Sequence, residues 1–313
     1  MGKQLILFCI ICLCCNRVSA QKDTLQPYMV SYNEKMVGSI TYQNSSNTFF
    51  MTYEDGAESY KAEFIPNTQQ RLVAGLSYKM IDVSVGFTPN FMKNDGSKLE
   101  SNNFNLGFRF NYNKWYQSVT FINQKGFFID FDHLERFYLP RFRSTKLGGT
   151  TSYVFNDKFS YKTIFNQNQW QLKSAGSFVP NFSVYYTNLT SKDTPDHVHI
   201  DMYTFSLAPS YHYNWVISQK FLVSAGLLVG AGINIADKDV TPLYEVSTNI
   251  KLGYNTDSFF TYLGVNSNSF FQEEGKNEFY DSFADVKLAV GYRFDPPKKF
   301  KKLYNDVTRR IGF

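Results

Sequence analysis

The chain has 313 residues, of which 43% are apolar and 18% aromatic, and it carries 31 Phe and 22 Tyr against only 3 Trp. Its formal net charge is +5 and its mean hydropathy is −0.32. So many aromatic residues exclude an intrinsically disordered chain. The sequence also lacks the repeated apolar runs of about 20 residues that a protein crossing a membrane with several helices needs. The abundant Tyr, Phe, Asn, Ser and Thr are residues of strands and turns.

Residues 1–20 have the pattern of a signal peptide, because Lys3 precedes a short apolar stretch that ends in small residues at Ala20. The stretch is too short to span a hydrocarbon core of about 30 Å. We expect cleavage after Ala20; a lipid-attachment site at one of the last two cysteines is the weaker alternative. The mature chain would then contain no cysteine and, being exported, would not meet nucleic acid. The four cysteines of the stretch are Cys9, Cys12, Cys14 and Cys15.

Residues 21–68 form an N-terminal region, and from residue 69 to residue 294 the hydropathy alternates with a period of two. Between Asn103 and Tyr112, for example, large apolar side chains alternate with small, polar or charged ones. This alternation predicts strands with one apolar and one polar face. The N-terminal region adds weaker candidates at 39–42, 49–53 and 60–64. The predicted strands cover residues 69–79, 81–89, 103–113, 115–124, 149–156, 158–167, 174–187, 201–215, 219–233, 242–254, 257–267 and 283–294.

The length and the two faces of these strands predict an all-β fold, an antiparallel transmembrane β-barrel in the bacterial outer membrane. Strands of about ten residues, tilted by about 45°, span a bilayer, and a polar face opposite an apolar one suits a barrel lumen. We expect about 12 strands, within a range of about 10 to 14, because bacterial barrels have an even number. The alternative is a soluble, exported, lipocalin-like binder, although soluble strands are usually nearer five or six residues.

The predicted connections alternate between short and long in the second half of the chain but not in the first. Outer loops should be long and periplasmic turns short, yet 90–102 and 125–148 both fall on the periplasmic side. One strand before residue 180 is therefore split or merged in this assignment, with Pro180-Asn181 as the candidate place. The basic stretch 125–148 is the longest predicted connection and a candidate to fold into the lumen.

The predicted barrel ends in a strand that resembles those read by the barrel-insertion machinery, with Val290, Tyr292 and Phe294 in alternation. Prolines follow at once and stop the strand. In the basic tail, 295–313, apolar residues recur at near-helical spacing, which indicates a short amphipathic helix. A solvated, frayed periplasmic tail is the alternative. The expected partners are outer-membrane lipids and, during assembly, the insertion machinery, with no nucleic acid.

Three stretches resemble one family. Residues 159–178, above all Gln171 and the run 173–177, are similar to the central motif of the family called domain of unknown function 4421. The Phe64–Asn67 step and the 291–299 ending are similar too. The resemblance covers about residues 24–305 and implies an outer-membrane barrel. It implies no mechanism, because the family has no established activity.

The polar strand faces carry charged residues that we expect to point into the lumen. Opposite charges on neighbouring strands would tie the lumen together, and a surplus of lysine and arginine would favour anions. We therefore expect a non-enzymatic barrel without cofactor that serves as a narrow channel, as a binder of small solutes or lipids, or as a structural membrane component. The predicted lumen residues are Arg109, Glu245, Lys251, Asp285, Lys287 and Arg293.

Ser210 and His212 are the weak candidates for catalysis. They lie two residues apart on one predicted strand and so share a face, which would suit a lipid-modifying hydrolase. The simpler interpretation is a pair of polar lumen residues between girdle tyrosines.

A polar cluster in a predicted outer loop is the weak candidate for a metal site. Carboxylates and imidazoles this close together could hold a divalent ion, but they lack a regular ligand spacing. A solvated polar loop is the simpler interpretation. The cluster consists of Asp193, Asp196, His197 and His199.

Overall fold

The computed structural model describes residues 27–55, 58–67, 69–92, 102–131, 136–165, 168–193, 199–236, 239–274 and 277–311. It contains fifteen strands and two helices, besides one 3-10 turn at Asn90–Met92. The strands are β1 Met29–Ser31, β2 Met36–Asp55, β3 Glu58–Pro66, β4 Gln70–Tyr78, β5 Ile81–Phe87, β6 Asn102–Tyr112, β7 Trp115–Phe131, β8 Phe137–Tyr153, β9 Gln169–Gln171, β10 Ala175–Thr190, β11 His199–Val216, β12 Phe221–Ala236, β13 Asp239–Asn255, β14 Phe259–Glu274 and β15 Asn277–Phe294, and the helices are α1 Lys162–Phe165 and α2 Lys298–Ile311.

The wall is a closed antiparallel β-barrel of 12 strands, as the alternation predicts. Neighbours in sequence pair around the wall from β4 to β8 and from β10 to β15, β8 pairs with β10, and β2 pairs with β4. The last strand then pairs with the first, from Phe294 opposite Met36 to Glu278 opposite Thr52. A closed barrel leaves no unpaired sheet edge, which is what a strand-built membrane span requires.

β3 and β4 pair one after the other with the same edge of β2, so the two ends of the wall contain different strands at this place. β4 pairs with the first part of β2 and β3 with its last part. β3 also pairs with β7 beyond Gly126, whose φ of 86° marks a bulge in that strand. β5 and β6 therefore fill the wall only at the end where β2 begins. At the other end β3 bridges directly from β2 to β7.

The barrel turns its apolar face outward. The polar residues of the same strands point inward, so the fold has the polarity of a membrane span. A soluble binder would not expose an apolar belt of this extent, and the lipocalin-like alternative is wrong. Each wall strand supplies at least one large exposed apolar side chain to the belt: Ile40, Leu76, Val83, Leu106, Val119, Leu147, Phe182, Leu207, Leu227, Ile250, Leu263 and Leu288.

Several predicted boundaries in the first half need correction. The predicted strand 158–167 is wrong over residues 158–165, which fold inside the barrel around α1; residues 166–167 lie outside the described residues. The wall begins at Met36 rather than at residue 69, so the N-terminal region supplies a twelfth strand. With these two changes, β5 and β7 run outward and end on the outer side.

Two further predictions about this half were wrong. The stretch 125–148 is not a loop, because it consists mostly of the ends of β7 and β8. The proposed break at Pro180-Asn181 is absent, since β10 passes through both residues without interruption. The miscounted strand was 158–167.

α2 confirms the amphipathic helix that the tail spacing indicated. Among the residues that the structure describes, no helix is long and apolar enough to cross a membrane.

The outward face of β13 offers a test of the wall's polarity. Replacing the exposed Ile250 by lysine places a charge in lipid near the middle of the span, which costs about 2–4 kcal/mol. The control is Asn249→Lys, one residue away, which directs the same charge toward the interior cavities. We expect the first variant to lower the urea midpoint of unfolding, read from heat-modifiable gel migration, far more than the control. Equal effects would contradict the assigned faces.

Candidate functional site

The lumen is the candidate site, because the buried charges of the wall converge there. Two adjoining cavities of about 290 and 270 Å³ occupy its middle, and they share Arg109, Asn249 and Phe165 as lining residues. Polar residues of the wall outnumber the other lining residues in both. Their size is at the lower end of that of small-ligand sites.

The structure places the predicted lumen residues in or below these cavities. Arg109, Lys251, Asp285 and Lys287 line the first, and Glu245 lines the second together with Arg109. The sixth predicted residue, Arg293, lies toward the periplasmic end. There its guanidinium lies 3.8 Å from the centre of the Tyr32 ring and donates to Asn255 Oδ1 at 2.7 Å.

The first cavity contains two ion pairs, one between neighbouring strands and one within a single strand. Arg109 Nη1 donates to Asp82 Oδ1 at 3.1 Å, from β6 to β5. Lys287 Nζ lies 3.2 Å from Asp285 Oδ1 on β15. The second oxygen of this carboxylate accepts from Asn266 Nδ2 at 2.8 Å.

The two other cations of the first cavity are held by neutral acceptors. Arg71, almost wholly buried, donates to Gln43 Oε1 at 3.1 Å and to Asn103 Oδ1 at 3.3 Å. Lys251 Nζ donates to the main-chain carbonyls of Thr163 and Ile164 at 2.7 and 2.9 Å. The lining of the first cavity thus has four cationic side chains against two carboxylates. The surplus positive charge suits an anionic solute.

The outer end of the lumen is closed by an apolar layer, here called the outer cluster. It packs inward-facing residues from opposite sides of the wall, with Phe127 fully buried. Its aromatic rings interlock, for example Phe127 with Phe142 at 4.9 Å and Phe49 with Phe127 at 6.3 Å between ring centroids. An apolar constriction of this kind resists the passage of water and ions. The buried members are Phe49, Phe127, Phe142, Leu189 and Met202.

The periplasmic end is filled by the described part of the connection between β8 and β10, residues 154–165 and 168–174, here called the plug. Its apolar residues pack on the inner wall near Ala175 and Val179, and Ile164 lines the first cavity. β1 pairs with β9 within the plug, from Met29 opposite Gln171 to Ser31 opposite Gln169. The plug's buried apolar residues are Val154, Phe159, Tyr161 and Ile164.

Hydrogen bonds from the wall fasten the plug. Asn214 Nδ2 donates to Ser160 O at 3.0 Å, and Lys251 caps the carbonyls of α1 as given above. At the other end of the plug, Trp170 Nε1 donates to Gln219 O at 2.9 Å, and its ring lies against Gly253. These contacts join residues far apart in the chain, so the plug is part of the folded barrel.

Sequence reasoning missed Arg71, Asp82 and Trp170. A signal for the first two was present, because they lie at polar positions of alternating strands. Trp170 lies in the stretch that carries the family resemblance, and the structure assigns that stretch to the plug. The alternation of Phe159, Tyr161 and Thr163 imitates a strand, and this concealed the plug.

Ser210 and His212 are both buried and face the lumen. His212 Nε2 lies 3.1 Å from Ser210 Oγ, but that hydroxyl donates to Val179 O at 2.6 Å. Since its single proton is used there, Ser210 is left to accept from His212 Nε2 and from Asn181 Nδ2 at 3.0 Å. A general base must instead accept the serine's proton. The geometry is that of a structural network turned away from lipid.

The residues of the proposed metal cluster do not converge in the part that the structure describes. Asp193 Oδ2 accepts from the Arg141 main-chain N–H at 2.8 Å, and His199 Nε2 lies 3.1 Å from Asp201 Oδ2. Asp196 and His197 lie outside the described residues. Within the described ranges, no group of three potential ligands is suited to a metal ion.

The insertion-signal residues lie on the outward face of the last strand. Val290, Tyr292 and Phe294 are all exposed there, in the ladder that closes the barrel against β2. Their recognition by insertion machinery stays a prediction.

Comparison with family models identifies the chain. The model described as Domain of unknown function (DUF4421) matches residues 21–294, and the chain belongs to this family. No curated protein matches it.

Solved outer-membrane barrels resemble the chain only at a distance. The translocator domain of autotransporter NalP from Neisseria meningitidis is 11% identical with a TM-score of 0.43, covering 83% of this chain and 88% of that one. The KdgM porin in complex with disordered oligogalacturonate is 10% identical with a TM-score of 0.32, covering 82% and 99%. The outer membrane protease OmpT from Escherichia coli is 10% identical with a TM-score of 0.29, covering 88% and 100%. Likenesses this remote say nothing about function.

Trp170 provides a test of the plug. Trp170→Ala removes a buried ring and its hydrogen bond and should destabilise the closed position of the plug by about 3–5 kcal/mol. The fraction of molecules with an open plug should then rise at least about a hundredfold. Trypsin should then cut after Lys162, which in the wild type is partly buried and belongs to a helix packed against the wall. The control is Phe165→Ala, which removes a half-exposed ring of the same plug and should leave Lys162 resistant. Rapid cleavage of the wild-type chain at this site would contradict the account.

Proposed function

We propose that this barrel is a gated carrier or channel for a small anionic solute, which its lumen holds between the outer cluster and the plug. The surplus of cations lining the first cavity is the observation that carries the proposal. Arg71 and Lys251 supply this surplus, because the amide and main-chain oxygens that accept their hydrogen bonds are neutral. A solute with one or two negative charges and a volume comparable to the cavities would complete the pairing.

Both closures support a gated lumen over an open pore. A solute entering from outside meets the apolar outer cluster, and one leaving toward the periplasm meets the plug. The plug is the better candidate for the moving part. It is a connection between two strands and can detach from the wall while the wall stays paired, whereas the residues of the outer cluster belong to the wall strands themselves.

A purely structural barrel is the second candidate, since small barrels fill with their own side chains. The cavities and the unbalanced cations favour solute binding, because a lumen that served only stability would be expected to pair its buried charges. A lipid hydrolase is disfavoured by the donor pattern at Ser210 and by the inward direction of His212.

Planar-bilayer recording tests the proposal. The wild-type chain should give no steady current, because both ends are closed. Trp170→Ala combined with Phe127→Ala, which releases the plug and thins the outer cluster, should conduct, and its reversal potential in a KCl gradient should indicate anion preference. A steady current through the wild type, or a cation-selective current through the variant, would overturn the proposal. So would silence in this double variant when trypsin shows its plug to be open.

The charge preference has its own matched pair of variants in the background of this double variant, Trp170→Ala with Phe127→Ala. Lys287→Gln leaves Asp285 without its cation in the first cavity and should shift the reversal potential toward cations. Lys220→Gln removes the same charge from an exposed turn outside the lumen and should leave the potential unchanged. Indistinguishable shifts in the two variants would refute the lumen as the source of selectivity.

A further inference from the structure

Helix α2 packs against the outside of the barrel wall. The Phe300 and Tyr304 rings contact the Tyr78 ring, with centroids 5.6 and 5.0 Å apart. Tyr78 lies opposite Met36 in one ladder, and Met36 lies opposite Phe294 in the next. Residues directly opposite each other in a ladder share a face, and Phe294 belongs to the exposed outward face of β15. The helix therefore lies on the lipid side of the wall.

α2 is held at the periplasmic margin of the barrel. It starts just after the end of β15, and Lys301 Nζ donates to Glu34 Oε2 at 2.9 Å. Lys79 Nζ, in the turn between β4 and β5, lies 3.7 Å from the other oxygen of this carboxylate. The hydrogen bond from Lys301 keeps the pKa of Glu34 below its ordinary value, so the pair is charged at neutral pH.

One apolar stripe of α2 faces away from the wall. Leu303 and Val307, four residues apart on one face, are 61% and 48% exposed although Phe300 and Tyr304 beside them are packed. Cations border this stripe, since Lys299 precedes Leu303 by four residues and Arg310 follows Val307 by three. The whole helix carries six lysines and arginines against a single carboxylate, at residue 306.

We propose that α2 binds the periplasmic leaflet of the membrane at an anionic phospholipid surface, with Leu303 and Val307 among the acyl chains and the bordering cations at the phosphates. A helix with one apolar and one basic face lies in the interface plane, and basic segments beside a membrane are drawn to anionic lipids. The position of the stripe on the lipid side of the wall favours lipid over a soluble partner. α2 is then an anchor that fixes the depth of the barrel.

Site-specific quenching tests the anchor in the full barrel. A chain that starts after residue 20 has no native cysteine, so Leu303→Cys provides one site for a polarity-sensitive fluorophore. Asn305→Cys, on the exposed polar face, is the matched control. Both are refolded into phosphatidylcholine vesicles with or without phosphatidylglycerol, and heat-modifiable migration verifies the barrel. Brominated lipids should quench residue 303 at least about threefold more than residue 305.

Lipid charge supplies the second readout. Phosphatidylglycerol should increase quenching at residue 303 at low salt, and about 1 M salt should reverse the increase. Lys299→Gln with Arg310→Gln should remove about half of it or more. Lys298→Gln with Arg309→Gln, an equal charge loss on the opposite face, should have less effect. Equal quenching at 303 and 305, no quenching at 303, or quenching unaffected by phosphatidylglycerol would overturn the proposal.

Discussion

The pairing of β15 with β2 is the constraint on which the rest of the structure depends. In a bilayer an unpaired strand edge leaves main-chain groups without partners, at several kcal/mol each, so the sheet must close. Closure creates an interior that the same strands line with their polar faces. That interior is filled by the outer cluster and by the plug, and the space between them keeps its charges. The proposed binding of an anionic solute rests on the charged cavity that this closure encloses.

The wall could be predicted largely from sequence, because each strand must alternate between lipid and lumen. The strand near Asn103–Tyr112 is an example, since every second residue is large and apolar. β2 was predicted only as two weak candidates, 39–42 and 49–53, because residues 43–48 between them are all polar and conceal the alternation. The plug was mistaken for a strand because Phe159 and Tyr161 alternate with polar residues. Alternation describes two environments and cannot tell a wall strand from a segment packed inside the wall.

The sequence predicts which side chains of the site point inward, but it does not predict their hydrogen-bond partners. Parity alone indicates that Lys251 and Lys287 point inward. The partner of Lys251 is a carbonyl of α1, 88 residues away in the chain, and no local pattern encodes that contact. The same limit applies to Ser210, whose hydroxyl donates to a carbonyl of the neighbouring strand. Spacing brought Ser210 and His212 to one face, whereas the hydrogen-bond network around them decides their role.

Hydrogen–deuterium exchange of the mature chain in lipid tests the central claim most directly, namely that the plug is a resident part of the lumen. The account predicts that amides of the plug exchange much more slowly than those of the exposed turn around Lys220, because the plug is buried and fastened to the wall. Exchange of the whole segment within seconds, at the rate of an exposed loop, would contradict it.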